Sequence, residues 1–255
     1  DNRDPYGTNL IFCFTTGLLT LIFALWHGFV LPPIGTYYWN FLASAILWGF
    51  GSLLLFLAYQ TLGSSEVAIL SALSGVVTIV ASILLLGETF TFQKTIGAIL
   101  IVSSIWLVNQ KKGMSFLAKG TVYALISTTL FGLAVTNDAF ILRTYDGVSY
   151  TPLAFLFPSL LLLIIKPKSI MSFSRLADFR FSKNMFFLVV FYAIQTIAFY
   201  IALQLSGVSS QIAPIYKSNL ILTVILAMIL LKEREHPFLK LISAVLVTIG
   251  VLLIK

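Results

Sequence analysis

The chain has 255 residues, of which 59% are hydrophobic and 10% are charged, with a net charge of +7. Soluble domains carry about 25% charged residues, so this composition excludes a globular protein with a water-covered surface. The single cysteine, Cys13, excludes an internal disulfide, and with His27 and His236 it cannot form a metal cluster. We therefore predict a polytopic helical membrane protein without a metal or cofactor.

Apolar runs of about 20 residues, long enough to cross the hydrocarbon core of a bilayer, recur along the whole chain. They predict nine membrane-spanning helices, at roughly residues 8–30, 37–61, 66–87, 92–110, 119–142, 150–166, 185–206, 210–231 and 237–254. The connections are short, so neighbouring spans are expected to be antiparallel. The longest polar stretch, residues 166–184, is interpreted as an amphipathic segment on the membrane surface.

Basic residues are distributed unevenly between the two sides of this bundle. The side that holds Asp1 carries Arg3, Lys111, Lys112, Lys119, Lys166, Lys168, Arg175, Arg180, Lys183, Lys232, Arg234 and Lys240, and the other side carries Lys94, Arg143 and Lys255. The positive-inside rule makes the first of these sides cytoplasmic. The net positive charge is therefore an orientation signal, and we predict no nucleic-acid partner.

An internal repeat divides the chain into predicted halves, residues 1–112 and 113–255. The matched pairs are Ala58 with Ala202, Gln60 with Gln204, Ser64 with Ser209, Ser65 with Ser210, Thr78 with Thr223, and Glu88 with Glu233. A helix at residues 119–142 precedes the second copy, and the first copy has no equivalent. We therefore expect five helices per repeat, with the first helix absent from this sequence. Tandem repeats of odd helix number must have opposite orientations, an architecture found in transporters.

Residues 58–108 resemble the hallmark segment of EamA-type permeases, in the drug/metabolite transporter superfamily, and the resemblance extends to both halves. It rests on the small-residue turn before Glu66, the apolar helix that ends at Gly87-Glu88 and the following helix with Gly97. The resemblance implies an all-α fold of ten helices in two inverted five-helix repeats, working by alternating access without ATP hydrolysis.

The second copy departs from the family pattern at two places. Lys232 replaces the glycine before the final glutamate, and polar residues at 217–219 stand where many relatives are apolar. The family also usually keeps both termini in the cytoplasm, whereas the distribution of basic residues places Lys255 outside.

Two pairs of polar stripes have the same helical spacing in both repeats. Ser71, Ser74 and Thr78 match Tyr216, Asn219 and Thr223, and Trp48, Gly51 and Ser52 match Tyr192, Gln195 and Thr196. Polar residues in membrane helices usually face the protein interior or a water-filled path. We predict that the substrate-binding residues include Trp48, Ser71, Ser74, Tyr192, Gln195, Tyr216 and Asn219. Close helix packing is the alternative, with equal weight for the serines.

Lys217 is the most informative single residue, because it lies roughly 12 Å into its span at 1.5 Å per residue. It follows Pro214, which predicts a kink in the helix. Snorkelling to the interface or a structural ion pair would explain the lysine. The alternative is a cationic contact for an anionic or zwitterionic substrate. The resemblance supports this second interpretation, since organophosphate-carrying branches of the superfamily use lysines in the equivalent region.

Asp138 is the other candidate site residue. It either pairs with Arg143 near the interface or is an intramembrane carboxylate that balances Lys217 or carries a coupling proton. Glu66 and Glu88, at the two ends of one span, are interpreted as structural or gating residues.

Together these features predict a secondary active transporter or exporter of a small metabolite in the cell membrane. Its expected partners are the substrate, the lipid bilayer and a coupling proton or ion, and it is expected to be a monomer or homodimer. Two other functions stay open. An intramembrane enzyme lacks sequence support, because there is no HExxH motif, no GxSxG motif and no pair of facing aspartates. A non-transporting scaffold subunit is disfavoured by the matched polar stripes.

Overall fold

The computed structural model describes residues 4–89, 91–111, 118–232 and 237–253, and within these ranges every regular element is helical. In chain order the α-helices are α1 (Pro5–His27), α2 (Ile34–Ala58), α3 (Ser64–Ser71), α4 (Leu73–Leu86), α5 (Phe92–Lys111), α6 (Lys119–Ile141), α7 (Gly147–Ile165), α8 (Phe179–Ser206), α9 (Ser209–Tyr216), α10 (Leu220–Leu230) and α11 (Pro237–Leu253). Short 3-10 helices occupy Pro167–Ala177 and Lys217–Asn219. Predictions for Asp1, Arg3, Lys112, Glu233, Arg234, His236 and Lys255 lie outside the described residues.

Apolar helices account for most of the described chain. Seven helical stretches in these ranges are long and apolar enough to cross a bilayer, and two shorter apolar helices cover Phe92–Leu107 and Pro237–Leu253. These nine stretches coincide with the nine predicted spans. The all-α membrane class predicted from the sequence is therefore confirmed.

The boundary before α8 differs most from the prediction. The apolar run predicts a start near residue 185, but α8 begins at Phe179. Asp178 explains the early start, because its carboxylate accepts the backbone N–H groups of Arg180 and Phe181 and caps the helix. The predicted surface segment is correspondingly shorter, and its regular part is the 3-10 helix Pro167–Ala177.

Two spans that the sequence predicts as continuous are each broken. The span Ser64–Leu86 is interrupted at Ala72, between α3 and α4. The span Ser209–Leu230 is interrupted by the 3-10 turn that begins at Lys217, three residues after Pro214. Ala72 and Lys217 occupy equivalent positions in the two repeats, so both copies break at the same point.

The chain forms two compact units, and the first contains Asp1–Leu53 and Asn137–Gly207. Here α1 packs along α7, and both helices pack on α8. The hydroxyl of Tyr6, at the start of α1, donates to the carbonyl of Leu162, near the end of α7. A Cβ atom on Gly17 would lie only 2.7 Å from a methyl carbon of Leu156. The two helices are therefore antiparallel and in close contact.

The second unit contains Leu54–Thr136 and Val208–Lys255. In this unit α5 packs on α11, α4 on α9, and α3 on α10. A Cβ atom on Gly250, late in α11, would lie 2.8 Å from the carbonyl oxygen of Gly97, early in α5. A Cβ atom on Gly75 would lie 3.3 Å from the Cα atom of Pro214. Small residues thus allow close backbone contacts between these helices.

Each unit therefore combines equivalent helices from the two repeats. The repeat counterparts are α1 with α7, α5 with α11, and the broken span α3–α4 with the broken span α9–α10, and the members of each pair run in opposite directions. This arrangement agrees with the predicted inverted repeats. The exact limits of the two sequence halves, residues 1–112 and 113–255, stay a prediction.

Candidate functional site

Asp138 is the centre of a buried polar cluster in the first unit. Its carboxylate accepts hydrogen bonds from Ser44 Oγ at 2.6 Å, Trp48 Nε1 at 2.8 Å, the Tyr150 hydroxyl at 2.5 Å and the Tyr200 hydroxyl at 2.8 Å. These donors come from α2, α7 and α8, so one side chain links α6 to three other helices. All four donors are neutral.

A second set of hydrogen bonds continues from this cluster along α2. The Asn137 amide donates to Ser44 Oγ at 2.8 Å and to the Asn40 carbonyl at 2.9 Å, and its own side-chain oxygen accepts from Asn40 Nδ2 at 2.7 Å. Asn40 is half-buried, whereas Asp138 is fully buried. Hydrogen bonds therefore connect the buried carboxylate to a partly exposed amide.

The sequence left two interpretations of Asp138, an ion pair with Arg143 near the interface or an intramembrane carboxylate, and these contacts distinguish between them. The guanidinium of Arg143 lies 5.8 Å from the centre of the Phe140 ring, and the oxygens of Asp138 are bound by neutral donors. The geometry favours an intramembrane carboxylate over an interfacial ion pair. Its role in binding or coupling stays a prediction.

The sequence did not identify Ser44, Tyr150 or Tyr200 as site residues. Ser44 lies one helical turn before Trp48, and Tyr200 lies one turn after Thr196, so both extend predicted stripes on the same helix face. Tyr150 carries no such signal, because it lies in an apolar run and meets Asp138 only through tertiary contact.

The predicted stripe on α8 has a mixed environment. The ring of Tyr192 packs edge-to-face against Phe12 and Phe155, with ring centroids 5.0 Å and 5.9 Å apart. Thr196 is buried, and its hydroxyl has no hydrogen-bond partner among the described residues. Gln195 is half-buried, and no described residue hydrogen-bonds its amide. Tyr192 therefore packs in the protein, whereas Gln195 keeps its hydrogen-bonding groups available.

Lys217 lies in the second unit, at the first residue of the 3-10 turn between α9 and α10. It is half-buried, and its ammonium lies 5.5 Å from the centre of the Tyr216 ring. No described carboxylate lies within ion-pair distance of it. Asn219, at the end of the same turn, is exposed. The break thus presents a cation, an aromatic ring and an amide within one helical turn.

The matching stripe of the first repeat uses its hydroxyls differently. The Ser71 hydroxyl donates to the Ala68 carbonyl of α3 at 2.7 Å, and the Ser74 hydroxyl of α4 donates to the Ser71 carbonyl of α3 at 2.8 Å. The Thr78 hydroxyl lies within hydrogen-bond distance of the carbonyls of Ser74 and of Gly132 on α6. A Cβ atom on Gly132 would lie 2.5 Å from Val77 Cβ. These contacts support helix packing for Ser74, so its predicted role in binding substrate has no support from the geometry.

Two glutamates of the second unit have structural partners. Glu66, at the start of α3, lies 3.6 Å from the ammonium of Lys240 on α11, and both side chains are buried. Glu88 follows α4 and accepts the backbone N–H and hydroxyl groups of Ser209 and Ser210, so it caps α9. Burial raises the pKa of Glu88, but these four hydrogen bonds outweigh burial and hold the pKa below its ordinary value.

Comparison with known proteins agrees with the helical fold. Twenty chains of solved structures match, and one of them, titled "Crystal structure of protein", has a TM-score of 0.67 over 98% of this chain and 88% of its own, at 16% sequence identity. At this identity the likeness shows the fold alone. No curated protein matches the chain in sequence.

Family comparison is more specific. The sequence model of the EamA-like transporter family matches residues 1–110 and again residues 118–255, so it matches each half of the chain once. With the apolar helices described above, this match identifies a multi-pass membrane protein. The chain belongs to the EamA-like transporter family.

Proposed function

We propose that this protein is a secondary active transporter that moves a small anionic or zwitterionic metabolite across the cell membrane by alternating access. The family match supports a transporter of the drug/metabolite kind. The opposite orientation of counterpart helices supports alternating access, because inverted repeats are the architecture in which such transporters exchange two equivalent conformations.

Lys217 is the observation that carries the substrate class. A lysine at the centre of a membrane helix costs about 2.5–3.5 kcal/mol to insert, and less away from the centre. No described carboxylate offsets this cost, since none lies within ion-pair distance of the ammonium. A phosphate or carboxylate group of a substrate supplies the missing negative charge.

The break in the helix makes this contact geometrically plausible. Irregular backbone at membrane depth is tolerated where it is buried in protein or lines a water-filled cavity. Lys217 begins such a break, Tyr216 immediately precedes it and Asn219 ends it. We assign the ammonium to charge recognition, and the tyrosine and asparagine to polar contacts with the rest of the substrate.

Transport by the purified protein in liposomes tests this proposal. Radiolabelled glucose 6-phosphate, L-serine, uridine and tetraphenylphosphonium represent an anion, a zwitterion, a neutral solute and a cation. We expect uptake of the first two above that of protein-free liposomes, and no protein-dependent uptake of the cation.

Other outcomes would favour the alternative functions. Chemical conversion of a probe without accumulation would indicate an intramembrane enzyme. Cooperative unfolding establishes that the purified protein is folded. Binding of a probe to this folded protein without flux would indicate a scaffold subunit. Selective uptake of tetraphenylphosphonium would contradict the proposed charge class.

A further inference from the structure

Asp138 is a buried carboxylate that contacts no cation among the described residues. It is fully buried, and its hydrogen-bond donors are two tyrosines, a serine and a tryptophan. Glu66 in the second unit is also buried, but it has Lys240 at 3.6 Å. A buried charge without a counter-ion is stabilised only by the hydrogen bonds made to it, so its neutral, protonated form becomes accessible.

The geometry around Ser44 accommodates both protonation states of the carboxyl group. When Asp138 is ionised, the Ser44 hydroxyl donates to Oδ1 at 2.6 Å. Ser44 Oγ also lies 2.9 Å from the Tyr150 hydroxyl, and either oxygen can be the donor of that bond. When Oδ1 carries a proton, it can donate to Ser44, whose own hydrogen then rotates toward Tyr150. A hydroxyl rotation is therefore enough to keep the cluster hydrogen-bonded in both states.

The groups that face Asp138 stay neutral, so Asp138 is the member of the cluster that can gain or lose a proton. From α2 it faces the neutral Ser44 and Trp48, from α7 Tyr150, and from α8 Tyr200. The tyrosines are the titratable members of this set, and their ordinary pKa near 10 keeps them protonated at physiological pH. In the turn that follows α6, the charged Arg143 lies over the ring of Phe140 on α6.

Asp138 lies near one end of α6, and therefore near one side of the membrane. It lies three residues before Ile141, where α6 ends, a distance of roughly 5 Å along the helix axis. The hydrogen bonds from Ser44 through Asn137 continue to the half-buried Asn40. This end of α6 faces the side that the distribution of basic residues predicts to be extracellular.

We infer that Asp138 is the proton-binding site that couples transport to a proton gradient. In each cycle a proton from water on one side forms an O–H bond on the Asp138 carboxylate, and the same bond breaks to release the proton to water on the other side. Ser44, Trp48, Tyr150 and Tyr200 act as positioning residues that stabilise the ionised form. This inference rests on the proposed transport function.

Infrared difference spectroscopy tests proton binding without a substrate. Spectra of the full chain in liposomes are recorded at about pH 5 and pH 9, for wild type, Asp138→Asn and the control Asp178→Asn. Asp178 caps α8 outside the cluster. We expect a carboxylic-acid C=O band in wild type and in the control that is absent from Asp138→Asn. Identical difference spectra for all three proteins would overturn the inference.

Conservative variants separate a titrating site from a structural one. Tyr200→Phe and Trp48→Phe each remove one donor to the ionised carboxylate and keep an aromatic ring at the position. We expect each to move the midpoint of the infrared pH titration upward by about one pH unit. A midpoint that does not move in either variant would show that these donors do not govern the titrating group.

Flux measurements test the coupling itself. With the glucose 6-phosphate or L-serine probe, wild type should accumulate label when a pH gradient is imposed. Asp138→Asn should lose gradient-driven accumulation by tenfold or more, yet retain exchange of internal for external probe, and Asp178→Asn should behave as wild type. If wild type exchanges the probe but does not accumulate it when a pH gradient is imposed, coupling is overturned and the transport proposal stays intact. Absence of any exchange would count against the transport proposal, and the infrared result would still decide whether Asp138 binds a proton.

Discussion

The two units of this protein bury carboxylates in opposite ways. In the first unit, Asp138 receives hydrogen bonds from four neutral side chains. In the second unit, Glu66 lies 3.6 Å from Lys240, and both residues are almost fully buried. One site therefore stabilises a charge with dipoles, and the other with an opposite charge.

This difference has a chemical consequence. An ion pair resists a change of protonation on either partner, because removing one charge leaves the other uncompensated in a low-dielectric environment. A carboxylate held by neutral donors has no such penalty, since its donors stay neutral when it gains a proton. The ion pair of Glu66 and Lys240 is therefore better suited to a fixed structural contact. The neutral surroundings of Asp138 are better suited to a residue that binds and releases a proton.

Loss of the lysine should have the largest effect on stability. Lys240→Met leaves the charge of Glu66 buried without its partner, so we expect the free energy of unfolding to fall by about 3–5 kcal/mol. Chemical denaturation of the detergent-purified protein measures this change. The control is Lys168→Met, which removes an exposed lysine and should change the free energy of unfolding by less than about 0.5 kcal/mol.

A double variant sharpens the test of the ion pair. Glu66→Gln combined with Lys240→Met removes both charges and should restore part of the stability lost in Lys240→Met. If the double variant is no more stable than the single one, the two side chains contribute independently, and the comparison with Asp138 loses its basis.

Asp138→Asn should cost less than Lys240→Met. The asparagine keeps one acceptor oxygen for the surrounding hydroxyls, but its NH₂ group faces donors where the second carboxylate oxygen stood. We expect the free energy of unfolding to fall by about 1–3 kcal/mol, measured by the same denaturation. A loss as large as that of Lys240→Met would mean that the cluster is primarily a structural element.

Glu88→Gln should have the smallest effect, with a defined pH dependence. The folded protein holds the pKa of Glu88 below its ordinary value of 4.5, because the hydrogen bonds from Ser209 and Ser210 outweigh burial. The ionised carboxylate therefore contributes stability that is complete above about pH 4.5 and is lost as the pH falls through the folded pKa. At neutral pH the half-buried position limits the expected cost to about 1 kcal/mol.

Unfolding curves at several pH values check the sign of this effect. The difference between wild type and Glu88→Gln should be constant near neutral pH and should disappear on strong acidification. A difference that grows as the pH falls would contradict the capping role of Glu88 at α9.

The sequence predicted those parts of the fold that local patterns control. Apolar runs located all nine spans, and matched positions such as Thr78 with Thr223 revealed the repeat. Pro214 indicated the break in the second copy, because proline cannot complete the helical hydrogen bonds. The equivalent break at Ala72 has no proline and left no comparable mark in the sequence.

The candidate sites were predictable only in part. Lys217 and Asp138 stand out in apolar sequence because charge inside a membrane is costly. Tyr150 joins the Asp138 cluster through a contact between helices, which no spacing along one helix encodes. The start of α8 at Phe179 was also missed, because the capping carboxylate of Asp178 precedes a stretch too polar to register as a span.

The proposed role of Lys217 as the charge-recognising residue is tested most directly by comparing exchange rates of one anionic probe in liposomes. With glucose 6-phosphate, or L-serine if only the zwitterion is transported, we expect Lys217→Met to lower exchange at least tenfold. Lys217→Arg should retain a substantial part of it, because the positive charge is kept. The Lys168→Met control should match wild type. Exchange by Lys217→Met at the wild-type rate would contradict the proposed recognition of a negative charge at the break between α9 and α10.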